Sequence, residues 1–215
     1  MVYLHKTDVV AIQESKKEEC SKRFLDSLTT QINWWITQPS NGSSGREILG
    51  VDDSKFYILG HWKYSFSFYL KNKTDSQTWV FTSVYGPTGN EARDPFWAEL
   101  RSLRAMWNVP WVIGGYFNAI IKRGERGGVT LNTNKSRGFF KMIHDIGLNE
   151  IKLGGRLYTW ARGGLSMALL ERFFTDDSWD LLHPNCTVSL LPWFISDHNP
   201  LVLHIPSQPQ KNPKK

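Results

Sequence analysis

The sequence predicts a layered α/β domain with mixed sheets. Three observations carry the prediction: apolar, strand-like runs stand near both ends of the chain, a block of short alternating segments fills its middle, and amphipathic helical patterns separate them. With 215 residues, 40% of them hydrophobic, the chain can bury one sizeable core and is too short for two independent ones.

Each element follows from its local pattern. "TDVVAIQESK" opens on the continuous apolar run Val9 to Ile12, as a strand covered on both faces reads. In "SKRFLDSLTTQINWW", Phe24, Leu25, Leu28 and Ile32 recur at helical spacing, and "PSNGSSG" from Pro39 to Gly45 then reads as a turn or mobile loop. From Arg46 to Tyr85 the segments "KFYILGHW", "SFSFYL" and "TWVFTSVYG" alternate between polar clusters, which predicts successive antiparallel strands. "NEARDPFWAELRSLRAMW" places Phe96, Trp97, Leu100, Leu103, Met106 and Trp107 on one helical face, and Pro110 ends that helix. "WVIGGYFNAI" follows as a buried strand that delivers Asn118 at its mouth, with Gly114 and Gly115 allowing the backbone to bend or approach another chain closely. A second amphipathic helix, "SRGFFKMIHDIGL", carries Phe139, Phe140, Ile143 and Ile146. "RLYTWA", "ALLERFF" and "PLVLHI" are strands around a short helix near "DDSWDLL", and "PSQPQKNPKK" is a proline-broken basic tail expected to be disordered. There is no internal repeat.

A net charge of +6 and a pI near 9.3 suit a polyanionic partner. Cys20 and Cys186 have no metal-ligand spacing and read as reduced thiols of an intracellular protein, the nucleus included. No apolar stretch approaches membrane-spanning length, and nothing signals an oligomer.

Polar residues stand where apolar strands finish: Glu14 after "VVAIQ", Tyr85 after "FTSV", Asn118 after "GGYF", Glu171 within "LLERF", and Asp197 with His198 before "NPLVL". Strand ends of a layered α/β fold converge on one rim. Carboxylates, an amide, a phenol and an imidazole on such a rim have the parts for metal-assisted phosphate chemistry. Taken singly, each has a duller reading: Glu14 as a solvated strand terminus, Asp197 and His198 as a turn. Ser196, Asp197 and His198 do not form a hydrolase triad, because adjacent residues of an extended chain point to opposite faces.

Together "AIQESK", "SVYGP", "WVIGGYFN", "GERGG", "LYTW", "LLERFF…SW" and "SDHNPLVL" resemble the endonuclease/exonuclease/phosphatase superfamily, most closely the endonuclease-like domains of LINE-type (non-LTR) retrotransposons. The likeness runs from Asp8 to His204. It implies a four-layered α/β sandwich with two mixed sheets flanked by helices, over residues 1–205 with residues 206–215 as the tail. It also implies descent from Mg²⁺-dependent phosphodiesterases, with Mn²⁺ as an alternative ion, and a DNA partner. By the resemblance Glu14 is a metal-binding carboxylate, Tyr85 contacts the scissile phosphate, and Asn118 orients nucleophile and phosphate. Thr159 and Ser196 are substrate contacts, His198 stabilises the transition state, and Asp197 supports metal and nucleophile.

Three departures qualify this. Tyr116 stands where the family has the aspartate that activates water, and a phenol titrating near ~10 is a poor base at neutral pH. Glu171 replaces the aspartate that orients the histidine and is one methylene longer, so it is liable to mis-set the imidazole, with pairing to the ring as the open alternative. No counterpart of the family's opening strand precedes Asp8, so the resemblance implies a sheet lacking its first strand. The expected function is an impaired, weakly metal-binding phosphodiesterase domain; the alternative is an inactive nucleic-acid-binding relic. "GERGG" and "LYTW" favour the retrotransposon branch over small-molecule phosphatases.

Overall fold

The computed structural model describes residues 7–15, 20–38, 46–57, 65–127, 133–155, 157–163, 166–192 and 196–206. Along the chain run β1 (Val9–Ser15), α1 (Lys22–Leu28), β2 (Trp34–Gln38), β3 (Arg46–Val51), β4 (Ser65–Lys71), β5 (Thr78–Tyr85), α2 (Arg93–Met106) and β6 (Trp111–Tyr116). Next come β7 (Arg126–Gly127), α3 (Thr133–Asp145), β8 (Leu148–Glu150), β9 (Leu153–Gly154), β10 (Trp160–Arg162) and β11 (Ser166–Ala168). The last are β12 (Glu171–Asp176), α4 (Asp177–Leu182), β13 (Thr187–Leu190) and β14 (Leu201–His204).

A central sheet of order β4-β5-β6-β12-β8 organises the domain. β4 and β5 form the expected hairpin, with Phe68 opposite Phe81, and α2 carries the chain across so that β6 lies parallel to β5. Both faces of this sheet are covered, which is why β6 reads as an unbroken apolar run. On one face, Phe96, Leu100 and Leu103 of α2 and Phe139 and Met142 of α3 pack with Val80, Ile113 and Phe174 of the sheet. On the other, Leu49 and Val51 of β3 and Trp179 of α4 pack against Phe66, Phe68, Phe81 and Val112. Ile48 and Gly50 of β3 turn away from that core, and a Cβ at Gly50 would lie 2.5 Å from Ile32, in the segment after α1. The expected four-layered α/β architecture is therefore present.

The second layer is divided. β1, β3 and β2 form one three-stranded sheet and β14, β13 and β9 another; among the described residues β1 has only β3 beside it and β14 only β13. Val9 of β1 and Leu203 of β14 nevertheless pack on the same core. β10, β11 and β7 make a third, small sheet.

Several expectations need correction. The helical spacing of Phe24 to Ile32 ends early: Ser21 caps α1, the helix stops at Leu28, and Trp34 begins a strand. The β-branched Thr29 and Thr30, followed by the β-favouring "WWIT", turn the chain extended despite the apolar spacing. Met106 and Phe140, assigned to the apolar helix faces, are exposed, while Met142 is enclosed. Within "KFYILGHW", residues 55–57 are not strand and 58–62 lie outside the described residues, as do the loop at 39–45 and tail residues 207–215.

Candidate active site

The ends of β1, β5, β6 and β12 meet at one rim, and strand register explains the meeting. Tyr85 of β5 lies opposite Tyr116 of β6, which lies opposite Glu171 of β12, so three of the residues singled out from sequence form one rank across the central sheet. β1 approaches this rank from the second layer. Its pairing with β3 is interrupted between Ile12 and Ser15, and Glu14 within that interruption has φ of 58°. A bulge re-aims a side chain in this way. Asn118, two residues beyond Tyr116, has φ of 49°. Left-handed backbone at non-glycine residues costs of order 1–3 kcal/mol when strained, less for Asn, and here it falls on two candidate site residues.

Gln13 fastens β1 to the rank. Its Nε2 donates to the Val84 carbonyl at 2.5 Å, and its Oε1 accepts from the Tyr116 N–H at 3.1 Å. The approach depends on Gly115, where φ is +133° and a Cβ would lie 2.4 Å from the Val84 carbonyl oxygen and 2.6 Å from Gln13 Nε2. This close approach is what the paired glycines of "WVIGGYFN" were expected to permit. Behind Gln13 lies the buried Glu47, hydrogen-bonded by Ser83 and, at 3.4 Å, by Gln13. Burial pushes the Glu47 carboxyl up to about 7, against the lowering effect of those two donors.

Tyr116 fills the middle of the site. Its ring stacks on Tyr85, centroids 5.5 Å apart, and stands edge-on to the His198 imidazole at 5.1 Å. Its hydroxyl donates to Asn118 Oδ1 at 2.9 Å. Burial, then the charges of Glu171, Glu14 and Asp197, push the phenol's pKa up, with Arg93 opposing, so it stays protonated. Both polar groups of the Asn118 side chain have partners, since its Nδ2 also donates to the Pro87 carbonyl at 3.1 Å, and its backbone carbonyl accepts from Arg93 Nη2 at 3.1 Å.

The histidine end is intact. His198 Nδ1 hydrogen-bonds with Glu171 Oε1, so the longer carboxylate does pair with the ring. Burial pulls the His198 pKa down, but the Glu171 hydrogen bond and charge, with Glu14 and Asp197 behind, outweigh it and raise the value above the ordinary one. Asp197 sits 3.9 Å from His198 Nε2, and its Oδ2 accepts from the Trp160 indole at 3.1 Å. Ser196 accepts the His198 N–H at 3.1 Å. Thr159 requires correction: it is fully buried, and its hydroxyl accepts from the Leu170 and Glu171 N–H groups at 2.9 and 3.2 Å, so it braces Glu171 from within rather than facing a substrate.

A hard divalent cation needs several oxygen ligands in one place. Among the described residues no three His, Cys, Asp or Glu side chains gather where a metal ion could be held. Glu14 accepts a hydrogen bond from Tyr85 at 2.9 Å, Asp197 accepts from Trp160, and Tyr116 occupies the ground between them and Asn118. These residues do not form a tight site for a resident Mg²⁺.

Sequence reasoning passed over four participants. Gln13 and Trp160 lay inside the quoted "AIQESK" and "LYTW" segments, and a polar Gln in an apolar strand was the available signal for the first. Glu47 and Arg93 carried none, because a charge near an element's end reads as solvated until the fold encloses it.

No known family profile matches the sequence, and no curated protein matches it. Solved structures do match. The endonuclease domain of TRAS1, a telomere-specific non-LTR retrotransposon, superposes with a TM-score of 0.66 at 16% identity, over 96% of this chain and 89% of that one. A 3′ phosphatase, NExo from Neisseria, bound to a product DNA hairpin, gives 0.66 at 13% identity over 93% and 89%. The human Nocturnin catalytic domain gives 0.57 at 14% identity over 94% and 83%. The chain has the fold of the endonuclease/exonuclease/phosphatase superfamily, as its motifs implied.

Proposed function

We propose that this protein is a nucleic-acid-binding phosphodiesterase domain of the retrotransposon-endonuclease kind whose turnover is severely impaired. One observation carries the reading: Tyr116 stands between Asn118 and His198 as a buried, protonated phenol. In this reading His198, its pKa raised through Glu171, in its protonated form offers its Nε2 proton to charge developing on a phosphate oxygen. Tyr85 and Asn118 flank the phosphate. Nothing at Tyr116 removes a proton from water, and the loss of a positioned general base costs a factor of about a hundred to ten thousand.

Glu14 and Asp197 are the carboxylates at which Mg²⁺ or Mn²⁺ would be held, supplying positive charge beside the phosphate; with so few ligands the binding is weak. The net charge of +6 and the DNA-processing neighbours support a DNA partner. The limiting case, binding with no turnover at all, is favoured by the engagement of Asn118 on every polar group of its side chain. Nicking of supercoiled DNA in Mg²⁺, run beside electrophoretic binding in EDTA, tests the reading. Slow or absent nicking with salt-sensitive binding supports it, and absence of DNA binding at low salt refutes it.

A further inference from the structure

The candidate site holds a cation that has no carboxylate partner among the described residues. Arg93, the first residue of α2, is half-buried; its Nη2 donates to the Asn118 carbonyl, and its Nε is enclosed without a hydrogen-bond partner among the described residues. The contrast with other arginines is sharp. Arg172 lies between Glu125 and Glu150, Arg104 meets Asp176, and Arg101 meets Asp145, whereas Arg93 has no ion pair among the described residues. Burial lowers its pKa, with Tyr116 acting the other way, yet a guanidinium stays charged at any pH of interest.

The helix does not explain this placement. A cation in the first turn faces the positive end of the helix dipole and is unfavourable there. A half-enclosed charge without a counter-ion is costly, and a ligand anion is what relieves the cost. The neighbours say which anion and where: Arg93 touches Asn118, which also accepts the Tyr116 hydroxyl, at the rim where a carboxylate needed for a divalent cation is missing. A planar guanidinium with one N–H group committed to Asn118 retains Nη1 for a phosphate oxygen.

We propose that Arg93 is the phosphate-binding cation of this site, taking a non-bridging oxygen of a nucleic-acid backbone beside Asn118 without a divalent metal. The nucleic-acid part rests on the function proposed above; the anion site itself does not. The test uses the whole chain in EDTA and two probes. In the first, inorganic phosphate is titrated while backbone amide resonances are followed; Arg93 and Asn118 amides should shift saturably in the parent and in the exposed control Arg137→Gln, and not in Arg93→Gln. In the second, a labelled DNA duplex is bound at fixed low salt. A lost charge-assisted contact should weaken Arg93→Gln by roughly tenfold or more, while the control stays within about twofold.

Arg93→Lys, which keeps the charge and loses the planar fork, is the second variant and should bind phosphate with intermediate strength. Phosphate shifts that are absent in the parent, or equal in the parent and both Arg93 variants, overturn the proposal. Phosphate binding through Arg93 in a parent that ignores DNA keeps the anion site and removes the nucleic-acid reading. DNA binding that is equal in parent and Arg93→Gln removes Arg93 and keeps that reading.

Discussion

Glu47→Gln should flatten the pH dependence of stability. Glu47 is 6% exposed, and its partners are the Ser83 hydroxyl and the Gln13 amide, with no cation among the described residues to offset an ionised form. Its pKa is pushed up from 4.5 to about 7, which at about 1.4 kcal/mol per pH unit amounts to roughly 3 kcal/mol. The sign follows from proton uptake. Between those two values the folded state keeps the proton that the unfolded chain has released, so the contribution is fully present below 4.5 and is lost as pH rises through about 7. Glutamine keeps an oxygen for Ser83 and Gln13 and has nothing to titrate. Urea unfolding of parent and variant at intervals from pH 4.5 to 8 reads the difference directly. The variant should match the parent at the acid end and exceed it by about 2–3 kcal/mol at pH 8, the other titrating groups cancelling in the comparison. Parallel pH profiles for the two proteins would refute the reasoning, because Glu47 would then ionise without cost and could not be as enclosed as described.

Tyr116→Asp should raise Mg²⁺ affinity in calorimetry more than it raises the nicking rate, since the added carboxylate beside Glu14 and Asp197 is relieved chiefly by a bound cation; unchanged affinity counts against a metal locus at this rim. Gly115→Ala should destabilise by at least about 1–3 kcal/mol from backbone strain alone, before its Cβ meets the Val84 carbonyl, and a variant of parental stability in urea contradicts the close approach. Thr159→Val should cost about 1–3 kcal/mol by stranding two part-buried N–H groups. Full stability together with lost DNA binding would instead return Thr159 to substrate contact.

Much of this architecture could be read from the chain because its strongest signals are local. The run that became β6 is apolar throughout since helices cover one face and β3 with α4 the other, and the strand-end polar residues converge because Tyr85, Tyr116 and Glu171 lie in register. What escaped notice depends on long-range pairing. That Glu171 reaches His198 despite its extra methylene follows from its place opposite Tyr116, which no spacing announces. The left-handed backbone at Glu14 comes from the interrupted pairing of β1 with β3. Thr159 reads as a surface hydroxyl until Leu170 and Glu171 enclose it, and α1 stops early because the tryptophans after it pair in register with Gly50 and Val51.

If, as proposed, Tyr116 takes the place of the base in a phosphodiesterase site, the most direct measurement is a nicking rate. Supercoiled plasmid is incubated in Mg²⁺ with this protein and, in parallel, with the endonuclease domain of TRAS1 at equal concentration and salt. The account predicts a rate at least about a hundredfold below that domain's. A rate within about tenfold of it, abolished by Glu14→Ala, would contradict the account, because a working metal-assisted site would then exist with a phenol at its centre.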